Sequence, residues 1–168
     1  TIAYKIKRNL VIHESKNYPE INISLENKTK LKEINFLIKI LKNIKIKVNT
    51  DNLDNKVIWT KLIRINTLSA VTALHNSNLG EIRNSNYKKE QLNSILKETI
   101  LVAKAKGLKF KLKDIMKEID GFPDTLTTSM QRDIANNKKS EIESILGGVL
   151  YEAKKENLIL ETNKKVYK

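Results

Sequence analysis

The first fifty residues carry short runs in which apolar residues alternate with polar ones, a pattern typical of half-exposed β-strands. Apolar residues then recur three and four positions apart from Leu31 to Asn43, which predicts one amphipathic helix. The polar stretch 49–55 is the best candidate for a domain boundary. We therefore expect a β-rich segment with a single helix, and candidate strands at 2–6, 10–12, 21–23 and 44–48.

Beyond this boundary the spacing of apolar residues is helical throughout. Ser140, followed three residues later by Glu143, has the form of a capping box at the start of the last long helix. Gly147 and Gly148 inside that helix predict a close contact with another helix. Further helices are expected at about 57–75, 90–106 and 112–119.

Composition excludes several classes of protein and site. The 168 residues are 40% hydrophobic, which is enough for a sizeable core. No apolar run approaches the roughly 18 residues of a membrane span, and no signal peptide is recognisable, so we expect no membrane partner and a cytoplasmic location. With no cysteine and only two histidines, the chain offers no disulfide, no thiol nucleophile and no multi-histidine metal site.

The formal net charge of +13 raises the hypothesis of a nucleic-acid binder. Only four of the 32 basic residues are arginine, however, and aromatic residues make up 5% of the chain. Readers of phosphate and bases favour arginine and stacking aromatic side chains. We therefore interpret the charge as a solvated lysine surface that attracts small anions, and expect no nucleic-acid partner.

Two ordered groups of motifs occur in the helical part of the chain. The first is Trp59-Thr60-Lys61-Leu62, Ser69-Ala70-Val71-Thr72-Ala73-Leu74 and Gly80-Glu81-Ile82. The second is Thr128-Ser129-Met130-Gln131-Arg132-Asp133, Ser140-Glu141-Ile142-Glu143 and Gly147, followed by Asn163-Lys164-Lys165-Val166-Tyr167. In order and spacing these motifs resemble the C-terminal domain of the ketopantoate reductase (2-dehydropantoate 2-reductase) family.

The resemblance implies a fold and an activity. The activity is the NADPH-dependent reduction of a small-molecule 2-keto acid, 2-dehydropantoate to pantoate in pantothenate biosynthesis. The fold is a Rossmann-type dinucleotide-binding domain followed by a mainly α-helical domain, a bundle like that of 6-phosphogluconate dehydrogenase. We therefore expect an α+β chain, in which residues 1–52 are a partial Rossmann-type remnant and residues 53–168 form the helical substrate and catalytic domain.

The glycine-rich loop of a dinucleotide-binding domain is missing from the sequence. The first glycine is Gly80, so no Gly-x-Gly-x-x-Gly motif precedes the helical part and the backbone cradle for a pyrophosphate is absent. The expected cofactor is NADP, but this chain alone is not expected to hold it. The expected partner is therefore the missing N-terminal dinucleotide-binding half, and a homodimer is left open.

The resemblance assigns roles to four residues. Lys61 matches the catalytic lysine, whose ammonium can supply a proton or positive charge to a developing alkoxide. Ser69 and Ser129 match substrate-binding positions, and Glu141 matches a cofactor-binding glutamate near the nicotinamide ribose. The alternatives are an exposed lysine at Lys61, a helix-start serine at Ser129 and a first-turn glutamate at Glu141. No metal site is expected.

The sequence departs from the family at three positions where the family has asparagine, here Ile65, Ser69 and Leu79. Asn66 lies about 100° around the helix from Ile65 and is not expected to replace the missing amide. These departures leave the identity of the keto acid open. The second hypothesis for function is a non-catalytic helical dimerisation or scaffold module, and the third is a lysine-rich nucleic-acid binder.

Overall fold

The computed structural model describes residues 4–7, 10–13, 20–24, 31–51 and 55–168. The chain divides into two compact units, and the division falls between Val57 and Ile58. Among the described residues, no helix combines the length and the apolar character needed to cross a membrane.

The first unit contains two separate two-stranded sheets. Strands β1 and β2 pair antiparallel, whereas β3 and β4 pair parallel and are connected through helix α1. Parallel strands need such a crossover, so β3, α1 and β4 form a βαβ unit. The elements are β1 (Tyr4–Lys7), β2 (Leu10–His13), β3 (Glu20–Ser24), α1 (Leu31–Asn43) and β4 (Lys47–Asp51).

The last strand of this unit begins three residues later than the alternation at 44–48 predicted. The reason is the way α1 ends. Lys45 adopts a left-handed conformation with φ of 59°, and the Ile46 N–H donates to the Leu41 carbonyl oxygen at 3.0 Å. This is the geometry of a Schellman-type helix end. Residues 44–46 therefore form the turn that ends α1, and β4 begins only after them.

The second unit is helical throughout, which confirms the predicted α+β class with a mainly helical C-terminal part. A five-residue π-helical segment at Glu143–Gly147 leads directly into α7. The helices are α2 (Lys56–His75), α3 (Leu79–Arg83), α4 (Asn86–Ala105), α5 (Leu112–Asp120), α6 (Ser129–Ala135), α7 (Gly148–Lys155) and α8 (Glu161–Tyr167).

The core of this unit lies around α2 and α4. Ile63 and Val71 of α2 are fully buried, as are Ile95 and Val102 of α4. Leu146 of the π-helical segment is also fully buried in the same cluster. Burial of such side chains contributes about 1.5–3 kcal/mol each, so the long pair α2 and α4 supplies much of the stability of the unit.

Helix α3 is not predicted by apolar spacing, because five residues are too few to show a period. It begins with a capping box: the Glu81 N–H donates to Asn78 Oδ1 at 2.9 Å, and the Asn78 N–H donates to Glu81 Oε2 at 2.8 Å. Next, Ser85 caps α4 by accepting from the Lys88 N–H, so α4 begins four residues before the predicted start. Both caps are visible in the sequence.

The capping box predicted at Ser140 and Glu143 is wrong. The chain enters the π-helical segment without a side-chain cap, and the Glu143 carboxylate instead accepts a hydrogen bond from the Tyr167 hydroxyl. The predicted close contact is confirmed at Gly147, where a Cβ atom would lie 3.3 Å from the Tyr167 ring. It is wrong at Gly148, where a Cβ atom would meet no atom within 4 Å.

Helix α3 holds the segment that precedes α6. The Leu79 N–H donates to the Leu126 carbonyl oxygen at 3.0 Å, and the Gly80 N–H donates to the Asp124 carbonyl oxygen at 2.9 Å. The Arg83 guanidinium pairs with the Asp124 carboxylate on the same segment. A Cβ atom on Gly80 would lie only 2.7 Å from Asp124 Cβ, so this backbone approach requires glycine.

We predict that Gly80→Ala lowers the free energy of unfolding by about 1–3 kcal/mol, because the added methyl group forces α3 away from Asp124. Thermal and urea unfolding of the purified chain measure the effect. Gly148→Ala is the matched control, since its methyl group meets open space and a helical alanine is favoured over glycine by roughly 0.5–1 kcal/mol. Equal effects of the two substitutions would contradict the role of the close approach.

Candidate active site

One face of α2 changes from exposed to buried along its length. Lys61, Ile65, Ser69 and Thr72 are spaced by four, four and three residues and therefore share this face. Lys61 is exposed and Ile65 is partly buried, whereas Ser69 is 5% exposed and Thr72 is fully buried. We call these four residues the α2 stripe. It leads from solvent into the helical bundle.

The Lys61 ammonium lies at the solvent end of the α2 stripe. Within the part of the chain that the structure describes, its side chain makes neither a hydrogen bond nor an ion pair. Ile58, one turn earlier on the same face, is 55% exposed. The amine is therefore available to a ligand, and no carboxylate within the described residues neutralises it.

The buried end of the stripe meets the start of α6. Thr72 Oγ1 lies 2.8 Å from Thr128 Oγ1 and donates to the Leu68 carbonyl oxygen at 2.7 Å. Because the Thr72 proton is used in that bond, Thr128 is the donor between the two hydroxyl groups. Thr128 also caps α6 by accepting from the Gln131 N–H at 3.2 Å. Ser129 is thus the first residue of α6 but not its cap.

Ser69 and Ser129 have hydroxyl groups that no hydrogen bond engages within the described residues. Ser69 is almost fully buried on the stripe, and Ser129 is exposed next to Thr128. The bond between Thr72 and Thr128 therefore brings the chain segments of these two serines together. The predicted substrate-binding serines lie on elements that are joined directly.

Glu141 lies just before the helical turn that leads into the π-helical segment, and its side chain is exposed. Its carbonyl oxygen accepts from the Ile145 N–H at 3.0 Å. No hydrogen bond or ion pair among the described residues joins its carboxylate to Lys61, Ser69 or Ser129. The Glu141 carboxylate is therefore exposed and is not joined to the other predicted site residues among those that the structure describes.

The asparagines next to the missing family positions are used elsewhere. Asn66 is fully buried, and its Nδ2 donates to Thr99 Oγ1 at 2.9 Å and to Asn163 Oδ1 at 2.7 Å. Asn78 is engaged in the cap of α3, and the Leu79 side chain is fully buried. The Asn66 Nδ2 and Asn78 Oδ1 atoms are therefore already engaged within the protein. The Asn66 partners, Thr99 and Asn163, are distant in sequence, so spacing alone gave no signal for them.

A pocket of about 220 Å³ lies between α2, α6, the π-helical segment and α8. Ala70, Ala73 and Leu74 of α2 line it. These positions lie about 120–220° around the helix from Lys61, so the pocket does not open beside the Lys61 side chain. It is not part of the candidate site.

His75 closes α2 and is the histidine whose surroundings the structure describes. Its ring packs edge-on against Tyr87, with 5.8 Å between the ring centroids. Burial, together with the neighbouring Lys88 ammonium, lowers the pKa of His75 below the usual 6.5. In the described part of the chain, no group of three or more His, Cys, Asp or Glu side chains could hold a metal ion.

Comparison with known proteins identifies the family. A sequence model of the family described as "Ketopantoate reductase PanE/ApbA C terminal" matches residues 55–168. The chain belongs to the ketopantoate reductase family. The resemblance that the motifs predicted is thereby confirmed, and the matched range is the helical unit that carries Lys61, Ser69, Ser129 and Glu141.

Solved structures share the fold. A dimeric ketopantoate reductase from Staphylococcus aureus is 24% identical with a TM-score of 0.84, and the match covers 99% of this chain and 57% of that one. A PanE/ApbA family ketopantoate reductase from Ralstonia eutropha JMP134 is 19% identical with a TM-score of 0.81, covering 99% and 55%.

D-mandelate dehydrogenase, in a ternary structure with NADH and anilino(oxo)acetate, is 16% identical with a TM-score of 0.77. That match covers 88% of this chain and 63% of the dehydrogenase. None of the curated protein sequences compared with the chain matches it. The chain thus spans 55–63% of the length of these three relatives, and at these identities the likeness shows the fold alone.

We predict that Thr72→Val lowers the free energy of unfolding by about 1 kcal/mol, because it removes the hydroxyl that joins α2 to the Thr128 cap. Ser69→Ala is the matched control on the same face. It should change the free energy by less than about 0.5 kcal/mol, since the Ser69 hydroxyl has no partner within the described residues. Urea unfolding compares the two, and equal losses would contradict the importance of the joint.

We predict that His75 makes the protein less stable as the pH falls through the range just below 6.5. The folded state has the lower pKa, so the unfolded state binds more protons there. The His75 contribution is complete above 6.5 and decreases towards the folded-state pKa. The measurement is the unfolding temperature of the wild type minus that of His75→Gln. This difference should be larger at about pH 8 than at about pH 5.5. A difference that does not depend on pH would contradict this.

Proposed function

We propose that this chain supplies the substrate and catalytic part of an NADPH-dependent 2-keto acid reductase, with 2-dehydropantoate as the first candidate substrate. The observation that carries the proposal is the α2 stripe. It presents an exposed ammonium at Lys61, the position of the family's lysine, that is unpaired among the described residues, and it leads to a hydroxyl at Ser69. A keto acid needs these two kinds of donor, because both its carboxylate and its ketone oxygen accept hydrogen bonds.

In this proposal Lys61 is the general acid. Reduction of a ketone places negative charge on the carbonyl oxygen, and a positioned ammonium stabilises that charge and then supplies the proton. NADPH would supply the hydride when bound. Ser69 and Ser129 would hold the substrate from two directions, since the bond between Thr72 and Thr128 joins their elements.

The described residues fit one end of the cofactor. Glu141 has an exposed carboxylate with no partner among the described residues, and could accept hydrogen bonds from the nicotinamide ribose. The described residues offer no glycine-rich backbone cradle for the pyrophosphate, because the first glycine of the sequence, Gly80, is buried in α3. We therefore propose that residues 1–52 are the end of a dinucleotide-binding domain whose phosphate-binding part lies outside these 168 residues. The parallel unit β3–α1–β4 supports this.

The substrate is proposed to be less polar on the side that faces α2. Ile65 is partly buried on the stripe, one turn from both Lys61 and Ser69, and offers a methyl surface where the family has an amide. The Leu79 side chain is fully buried and therefore offers no surface to a substrate. Candidate substrates are thus 2-dehydropantoate and 2-keto acids with apolar side chains. A cytoplasmic location and a homodimer belong to the same proposal, the latter because the Staphylococcus aureus relative is dimeric.

We predict that Lys61→Ala lowers kcat for 2-keto acid reduction by roughly 10²–10⁴-fold, because the developing alkoxide loses its acid. The assay follows NADPH oxidation with a panel of 2-keto acids, in the protein completed with its phosphate-binding part. The free energy of unfolding should change by less than about 0.5 kcal/mol, since Lys61 is exposed.

Lys97→Ala, which removes an exposed lysine of α4, is the matched control for this substitution and should keep the wild-type rate. A wild-type rate in Lys61→Ala as well would refute the assignment of the acid. Absence of reductase activity in the completed wild-type protein would favour the non-catalytic scaffold.

A further inference from the structure

We propose that Glu98, Asn163 and Asn66 form a positioning relay that fixes the rotation of α2 about its own axis, and thereby the direction of Lys61. The relay joins α4, α8 and α2 through side-chain hydrogen bonds. None of its residues contacts a substrate in the proposed function. The inference rests on that function only in taking Lys61 as the reacting group.

The first step of the relay is a helix cap supplied from another helix. The N-cap residue of α8, Leu160, has no side-chain hydrogen bond to offer. The Glu98 carboxylate on α4 takes its place, accepting from the Thr162 N–H and the Asn163 N–H, both at 2.8 Å. A negative charge at the start of a helix meets unsatisfied N–H groups and the positive end of the helix dipole. The start of α8 is therefore fixed to α4.

The second step transfers this anchor to α2. Asn163 Nδ2 donates to Glu98 Oε2 at 2.7 Å, which leaves Asn163 Oδ1 to accept from Asn66 Nδ2 at 2.7 Å. Thr99 donates its own proton to the Ile95 carbonyl oxygen, so its oxygen accepts the second Asn66 hydrogen. A carboxylate can only accept, so Glu98 sets the direction of the amide bonds that follow.

The third step connects the relay to the candidate site. Asn66 follows Lys61 by five residues, about 140° around α2. Asn66 is fully buried and Lys61 is exposed, so the relay holds one side of the helix while the amine projects from another. Apolar contacts are non-directional, whereas the two Asn66 hydrogen bonds fix an angle. A rotation of α2 would turn Lys61 with it, and a displacement of about 1 Å at a reacting group can cost 10²-fold in rate.

A purely structural role would have a different signature. If Glu98 only caps α8, its loss loosens α8 and leaves α2 unchanged. If it only contributes to global stability, its loss loosens every helix equally. The relay instead predicts that α8 and α2 loosen together, while α5 (Leu112–Asp120), whose residues take no part in the relay, does not.

The test compares Glu98→Gln with wild type by hydrogen exchange of the full 168-residue chain, read by mass spectrometry. Exchange at 56–66 and 161–167 should rise about tenfold or more, the loss expected for hydrogen bonds to a charged group. Exchange at 112–120 should stay unchanged. Glu156→Gln is the matched control, because Glu156 also pairs with a partly buried partner, Lys106, but lies outside the relay. An increase confined to α8, or equal in all three segments, would overturn the proposal.

Asn66→Ala separates the cap of α8 from the bond to α2, and it replaces Glu98→Gln in the test if that variant does not fold. It leaves the cap of α8 intact, so exchange should rise in α2 but not in α8; an unchanged α2 would overturn the relay. Glu98→Asp restores the charge and should recover part of the protection.

In the completed reductase, Asn66→Ala should lower kcat about tenfold or more at an unchanged KM for NADPH. If the completed wild type has no reductase activity, the proposed function fails, whereas the exchange result still decides the relay.

Discussion

The second half of α2, from Asn66 to Thr72, is buried at every residue, so the helix is enclosed on all sides there. An unpaired buried polar group costs about 1–3 kcal/mol, so polar side chains in such a helix gain from partners on neighbouring helices. Among the described residues Thr67 Oγ1 and Asn66 Oδ1 have no partner, but other polar atoms of this stretch do. Asn66 bonds to α4 and α8, and Thr72 bonds to the Thr128 cap of α6. These directional contacts therefore hold α4, α6 and α8 to the buried part of α2.

The same enclosure determines what the candidate site can be. Because the second half of α2 is held by directional bonds, Lys61 projects from a fixed base, about two turns before Ser69. An exposed lysine has a flexible side chain, but the origin and direction of that side chain are set by the helix. The site thus combines a mobile amine with a rigid support, which is the arrangement that a positioned general acid requires.

Amphipathic spacing predicted α1, and length with apolar content predicted α2, almost to the residue, because both helices are long. It failed where a local backbone feature intervened, as at Lys45, where a left-handed turn delays β4. For the site, the motifs supplied Lys61 and the two serines, whose roles remain predictions. They could not supply the bond between Asn66 and Asn163, which are 97 residues apart, because tertiary packing alone brings such a pair together.

Several residues of the family motifs have a structural explanation in this chain. Gly80 allows the backbone of α3 to approach Asp124, Gly147 lies against the Tyr167 ring, and Asn163 connects Glu98 to α2. These residues therefore explain why the chain has the family's fold, and they would be needed with or without catalysis. Family membership by itself is therefore stronger evidence for the fold that supports the candidate site than for catalytic activity at that site. The proposed chemistry depends on Lys61, which no contact among the described residues requires for folding.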